Sequence, residues 1–163
     1  MEANMEINLE IKRLTSAHST VLEKFLFHAL FVPPGAAPFT KDAIFQPAVH
    51  IYIKDFGLLS NDYGVYAQID DQIVGAAWVR VIPGFGHVNN KTPELAISVL
   101  PDYRGQGIGE KLMLELFDIL KKSGYKQTSL AVQKANKAVD FYTRLGYKIL
   151  QEKDEEYVMI KGL

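Results

Sequence analysis

Residues 95–120, LAISVLPDYRGQGIGEKLMLELFDIL, constrain the fold more than any other stretch of this chain. A strand-forming run stops at Pro101, glycines stand at 105, 107 and 109 beside Arg104, and a helical pattern begins at once. Ile108, Leu112, Met113, Leu116, Phe117 and Leu120 recur at helical spacing, with Glu110, Lys111, Glu115, Asp118 and Lys122 opposite them, which predicts a helix over residues 107–123 buried by one face. Gly124 supplies its stop. A helix N-terminus carries unpaired N–H groups and about half a unit of positive charge. Glycines let an anion approach those groups with no Cβ in the way. The unit therefore reads as a phosphate cradle; a plain strand-to-helix turn needs one glycine rather than three with an arginine. No Lys-Ser/Thr pair follows, which argues against a P-loop, and the spacing is not the G-x-G-x-x-G of dinucleotide folds.

The segments around this unit alternate between two periods. Residues 7–14 alternate as a short strand, and Val21, Leu22, Phe25, Leu26, Ala29 and Leu30 form the apolar stripe of a helix over residues 18–31. PPGAAP at 33–38 is a loop, and a second helical segment is expected over residues 41–54. Residues 63–70 and 72–82 read as a hairpin turning at Asp70-Asp71. In its second strand Val74, Ala76, Trp78 and Arg80 share one parity, and Ile73, Gly75, Ala77, Val79 and Val81 the other. A glycine-rich excursion, PGFGHVNN, fills 83–90. Strands at 94–100 and 127–133, a short helix at 136–145 and two closing strands at 147–150 and 156–160 complete a mixed α/β or α+β sheet.

Composition narrows the chemistry. A chain of 163 residues, 48% hydrophobic and 23% charged, is expected to form one soluble domain over 1–163. Its net charge of −1 lacks the basic excess of a nucleic-acid binder. The absence of cysteine removes disulfides, thiolate zinc sites and any thiol nucleophile. His18, His28 and His50 show no metal-ligand spacing, so no metal is expected. No apolar run approaches the roughly 18 residues of a membrane helix, and the acidic first eight residues have no signal-peptide core. A cytoplasmic protein with no nucleic-acid or membrane partner is the expectation.

RGQGIG at 104–109 resembles the Q/R-x-x-G-x-G/A loop of the GNAT superfamily of acyl-CoA-dependent N-acyltransferases. ELAISVLPDY at 94–103 resembles the family's pantetheine-binding strand, and SLAVQKANKAVDFYTRLGY at 129–147 its next strand and helix. The similarity runs over about residues 63–160. It implies a GNAT-like fold: a mostly antiparallel sheet of about seven strands, splayed at the cofactor strand and flanked by about four helices. It also implies acetyl-CoA as acyl donor, an amine acceptor, and a homodimer as an oligomeric state common among relatives. Main-chain N–H groups of Arg104, Gly105, Gln106, Gly107, Ile108 and Gly109 would then hold the pyrophosphate, and Ile97, Ser98 and Val99 the pantetheine amides. Asn136 matches a cofactor-side asparagine, but Asn is equally a good helix N-cap. Tyr142 aligns with the family's general acid, a phenol that protonates the leaving thiolate; by pattern alone it is a core aromatic.

The base is less defined. A free alkyl amine with a pKa near 10.4 is almost wholly protonated at neutral pH, so a group must take its proton. Glu94 lies near a position where relatives place one, and this chain has Ala131 where some carry a glutamate. A merely solvated glutamate is the alternative. His87 has a suitable pKa class but reads first as a surface loop histidine. Trp78 and Arg80 share a parity that would line the acceptor side, Arg80 offering a partner for an acceptor carboxylate, or else belong to a half-exposed strand with a packed Trp. Two functions remain: acetyl transfer to an amine by direct attack, or a non-catalytic acyl-CoA sensor with the same cradle.

Overall fold

The computed structural model describes residues 8–163. The strand expected from residue 7 is β1, Leu9–Arg13, so its first expected residue lies outside the described ones. A 3-10 turn, Ser16–His18, leads into α1, Ser19–Ala29, which buries Leu22, Phe25 and Leu26 of the predicted stripe. Leu30 is already extended, ending α1 three residues before Pro33. The second helical segment is interrupted: a 3-10 turn spans Lys41–Phe45, and α2 covers only Pro47–His50. Proline disfavours helical backbone at the residue before it, and Gln46 is extended at φ −63°, ψ 133°.

The strands β2 (Tyr63–Ile69), β3 (Gln72–Arg80), β4 (Glu94–Val99), β5 (Gln127–Gln133), β6 (Lys148–Glu152) and β7 (Glu156–Gly162) join β1 in one seven-stranded sheet. Its order is β1-β2-β3-β4-β5-β7-β6, and every neighbouring pair is antiparallel except β4–β5. The mostly antiparallel α+β sheet expected from the sequence is therefore the fold. The parallel pair registers only at Glu94↔Ser129, so β4 and β5 part beyond that point.

Each face of the sheet carries its own core. α3, Ile108–Lys122, lays Leu112, Leu116 and Leu120 on Val65, Ala67, Val79 and Leu95. All six predicted apolar residues of α3 are buried, and each large side chain is worth roughly 1.5–3 kcal/mol. Gly124, at φ +92°, ends α3: its N–H donates to Lys121 and that of Tyr125 to Leu120, both at 3.1 Å. The opposite face packs α1 and the turns after α2 through Leu22, Phe25, Ile53 and Phe56 on Trp78. The parity expected for β3 breaks at Val74. Ala67 registers with Gly75 and Gln68 with Ile73, leaving Val74 as a bulge residue that joins the α3 core while Ala76 and Trp78 face the other. The last helix, α4, spans Ala138–Arg144. No helix among the described residues is long and apolar enough to cross a membrane.

Candidate active site

The parting of β4 from β5 opens a cleft of about 1130 Å³ between α1, the glycine loop and α4. The loop geometry follows from its glycines. Gly105 and Gly107 have φ of +74° and +81°, a region other residues rarely adopt, and a Cβ at either would meet nothing within 4 Å. Gly107 is the N-cap of α3, with no side chain satisfying the first turn. Among the described residues, the N–H groups of 105–110 find no protein acceptor, while the next one, Lys111, bonds to the Gly107 carbonyl at 3.2 Å. Unpaired donors around a left-handed loop, open to a cleft, suit an anion with several oxygens. The residues present fit a pyrophosphate.

β4 forms one wall. Its inner edge pairs with β3 through Ile97↔Ala77 and Val99↔Gly75, which leaves the edge toward β5 unladdered beyond Glu94. The Ser98 hydroxyl donates to the Phe25 carbonyl of α1 at 2.6 Å, so its side chain is committed and its main chain is what the cleft meets. Arg104 Nε donates to the Val99 carbonyl at 2.9 Å, tying the loop to the strand end.

α4 forms the facing wall. Asn136 lines the cleft, and its Oδ1 accepts from the Ala138 N–H at 2.9 Å. The N-cap of α4 falls at Lys137, one residue after Asn136, so the expected cap role is shifted: Asn136 Oδ1 still satisfies the first N–H of the helix and leaves Nδ2 free to donate. Tyr142 also lines the cleft, its ring edge-on to Phe141 and Tyr147 at 5.5 and 5.8 Å. Burial pushes its phenol up to about 12. Its hydroxyl has no hydrogen-bond partner among the described residues, so at neutral pH it holds an uncommitted proton.

Ile97, Ser98, Val99, Arg104, Gly105, Gly107, Ile108, Gly109, Asn136 and Tyr142 are brought together at this cleft. Gln106 is on the loop but outside the lining, its Nε2 turned to the Asp102 carbonyl at 3.4 Å. Glu94 lies at the closed end of the split rather than in the lining, and it is 2% exposed, not solvated. Its Oε2 accepts from the Tyr52 hydroxyl and, at 3.0 Å, from the Gly86 N–H, and its Oε1 is buried without a partner among the described residues. Burial holds its carboxyl above the usual glutamate range, against the opposing hydrogen bonds.

Arg80 and Trp78 do not line an acceptor site. Arg80 Nε and Nη2 donate to Asp62 at 2.9 and 3.1 Å, and Nη1 to the Ile51 and Lys54 carbonyls. The guanidinium is therefore spent inside the fold. Trp78 is fully buried, with Nε1 on the Tyr52 carbonyl at 2.9 Å. His87 is an exposed loop residue, its Nδ1 2.9 Å from the Ile82 carbonyl, and it does not line the cleft. Sequence reading missed Tyr52, which follows no motif, and Phe141 as a cleft wall.

Residues 30–147 match the sequence profile of the acetyltransferase (GNAT) family. Among curated proteins, thialysine N-epsilon-acetyltransferase of Sus scrofa is 46% identical over 57 residues, 34% of either chain. N-alpha-acetyltransferase 50 of Danio rerio is 32% identical over 99 residues, 58% of this chain and 56% of that one. The matched stretches thus span about a third to a little over half of these relatives. The crystal structure of PaiA N-acetyltransferase from Thermoplasma acidophilum, in complex with coenzyme A, shares the fold at a TM-score of 0.66, with 20% identity over 96% of this chain and 99% of that one. With the profile matched from the end of α1 to the start of the closing hairpin, on a sheet that parts beside its glycine loop, the chain belongs to the acetyltransferase (GNAT) family.

Proposed function

We propose that the protein is an N-acetyltransferase that moves an acetyl group from acetyl-CoA to a primary amine by direct attack within a ternary complex. The observation that carries this reading is the set of unpaired N–H groups at 105–110, set at the mouth of a cleft between parting strands. The main chain of 105–109 would bind the pyrophosphate, the open edge of Ile97, Ser98 and Val99 the pantetheine amides, and Asn136 Nδ2 a further acceptor on that arm. Acetyl-CoA supplies an acyl group activated as a thioester. The acceptor class is supported by the two relatives, whose names describe acetylation of an N-epsilon and an N-alpha amine.

Tyr142 is the proton donor to the departing thiolate. Its phenol stays protonated at neutral pH and its hydroxyl is not tied to another of the described residues. Glu94 is the proton acceptor for the amine, directly or through water. Burial makes its carboxylate more basic than an exposed one, which moves it toward the range where a general base works well near neutral pH. With no cysteine in the chain, transfer through a thiol on the protein has no nucleophile.

The test is coenzyme A release on mixing protein and acetyl-CoA with a panel of polyamines, aminoglycosides, amino acids and peptides with free N-termini. Release that depends on one amine class supports the reading. Saturable acetyl-CoA binding with no release across the panel would reassign the protein as an acyl-CoA sensor.

A further inference from the structure

We propose that Tyr52 is the positioning residue for Glu94: together with the Gly86 N–H it takes up Oε2, so that Oε1 alone is left to receive a proton from the acceptor amine. The inference rests on the reading of Glu94 as proton acceptor given above.

The carboxylate is held asymmetrically. Oε2 accepts two hydrogen bonds, from the Tyr52 hydroxyl and the Gly86 N–H, whereas Oε1 is buried and accepts none from the described residues. Buried polar atoms are paired in the great majority of cases, so an orphaned oxygen on the proposed proton acceptor calls for a role. An oxygen awaiting a proton from a transient partner fills it. The register puts Glu94 opposite Ser129, where the strands begin to part, so this oxygen lies at the closed end of the split.

The surroundings are built around this hold. The Tyr52 hydroxyl also accepts from the Phe85 N–H at 2.9 Å, and the two rings stack at 6.3 Å and 16°. A Cβ on Gly84 would sit 2.5 Å from Glu94 Oε1 and 2.6 Å from the Tyr52 hydroxyl oxygen, so a side chain there would push the two groups out of this arrangement. A Cβ on Gly86 would strike the Leu130 backbone at 2.6 Å, and its carbonyl accepts from the Ser129 hydroxyl at 2.7 Å. Residues 84–86 thus join Tyr52, β4 and β5 at one point. The Tyr52 hydrogen bond favours the charged form of Glu94 against the rise that burial imposes. Of the other charged groups facing it, His87 from the same loop acts with Tyr52 and Glu156 from β7 acts against it. Arg80, opposite on β3, is engaged by Asp62.

The test is an NMR pH titration of the full-length protein labelled with carboxyl-13C glutamate, the Glu94 signal being assigned by its loss in E94Q. In Y52F the Glu94 titration is expected to move to higher pH, and the acid limb of kcat with it, while KM for acetyl-CoA stays unchanged. A Glu94 titration unmoved in Y52F overturns the proposal. Should Y52F fail to fold, 3-fluorotyrosine at position 52 keeps the shape and donates more strongly; the titration should then move to lower pH, and no movement overturns the proposal equally. An E94Q enzyme with the wild-type acid limb would instead remove Glu94 as proton acceptor, whatever Tyr52 does to its titration.

Discussion

Glu94 and Ser129 are the registered pair that joins β4 to β5, and the strands separate beyond it. That one relationship creates the slot. It frees the main-chain edge of Ile97, Ser98 and Val99, and it aims the gap at the glycine loop that follows β4. An extended ligand with an anionic end and amides along its length is what such a gap can hold. The ladder bonds that β4 and β5 give up are the cost of that opening, and they are recovered only when a ligand pairs with the exposed edge.

Tyr142→Phe should lower kcat by roughly 10²-fold or more while leaving the Kd for acetyl-CoA unchanged, since the ring packing on Phe141 and Tyr147 is retained and only the proton donor is lost. Steady-state kinetics with a competent amine, alongside calorimetric titration of the cofactor, checks both halves. An unchanged kcat would make Tyr142 a packing residue and give the thiolate another proton source.

Asp62→Ala should destabilise the fold by about 3–5 kcal/mol, because it strands the Arg80 guanidinium in the interior. The pair is nearly wholly shielded, with side-chain exposures of 3% for Arg80 and none for Asp62. Asp62 also accepts from the Gly57 and Leu59 N–H groups at 2.9 and 3.1 Å, so the turn before β2 should loosen with it. Urea unfolding measures the loss. Cofactor affinity at temperatures where the variant is folded should match wild type, since the pair lies outside the cleft.

Glu94 also sets a pH dependence of stability. Its folded value lies above the ordinary 4.5, so its contribution is full below that value and is lost as pH rises through the folded one. Glutamine cannot undergo this loss. The stability of E94Q relative to wild type should therefore increase as pH rises from about 4.5 and level off above the folded value. Paired urea titrations across that window measure the difference, and a difference that is flat with pH would contradict the burial argument.

Much of this was legible in the chain. The apolar face of α3 and its glycine stop follow from spacing alone, and all six predicted contacts are buried. The left-handed loop with open N–H groups was signalled by three glycines at a helix start, and the parting of β4 from β5 by resemblance of the strand and the next helix to one family. What escaped was non-local. The Tyr52–Glu94 contact joins residues 42 apart and Arg80–Asp62 residues 18 apart, and neither leaves a local pattern. The bulge at Val74 was hidden because β3 is buried on both faces: Val74, Ala76, Ala77 and Trp78 are all apolar, so a shift of one residue changes no hydrophobic signal. The break at Pro47 did carry a signal, and the helical spacing on either side masked it.

The main-chain cradle is tested most directly by titrating acetyl-CoA into 15N-labelled protein and following the amide resonances of residues 105–110. The account predicts that these signals move downfield as their N–H groups gain charged acceptors, with those of Ile97, Ser98 and Val99 moving alongside them. Saturable binding that leaves the 105–110 amides where they were would contradict it, since the pyrophosphate would then be held elsewhere.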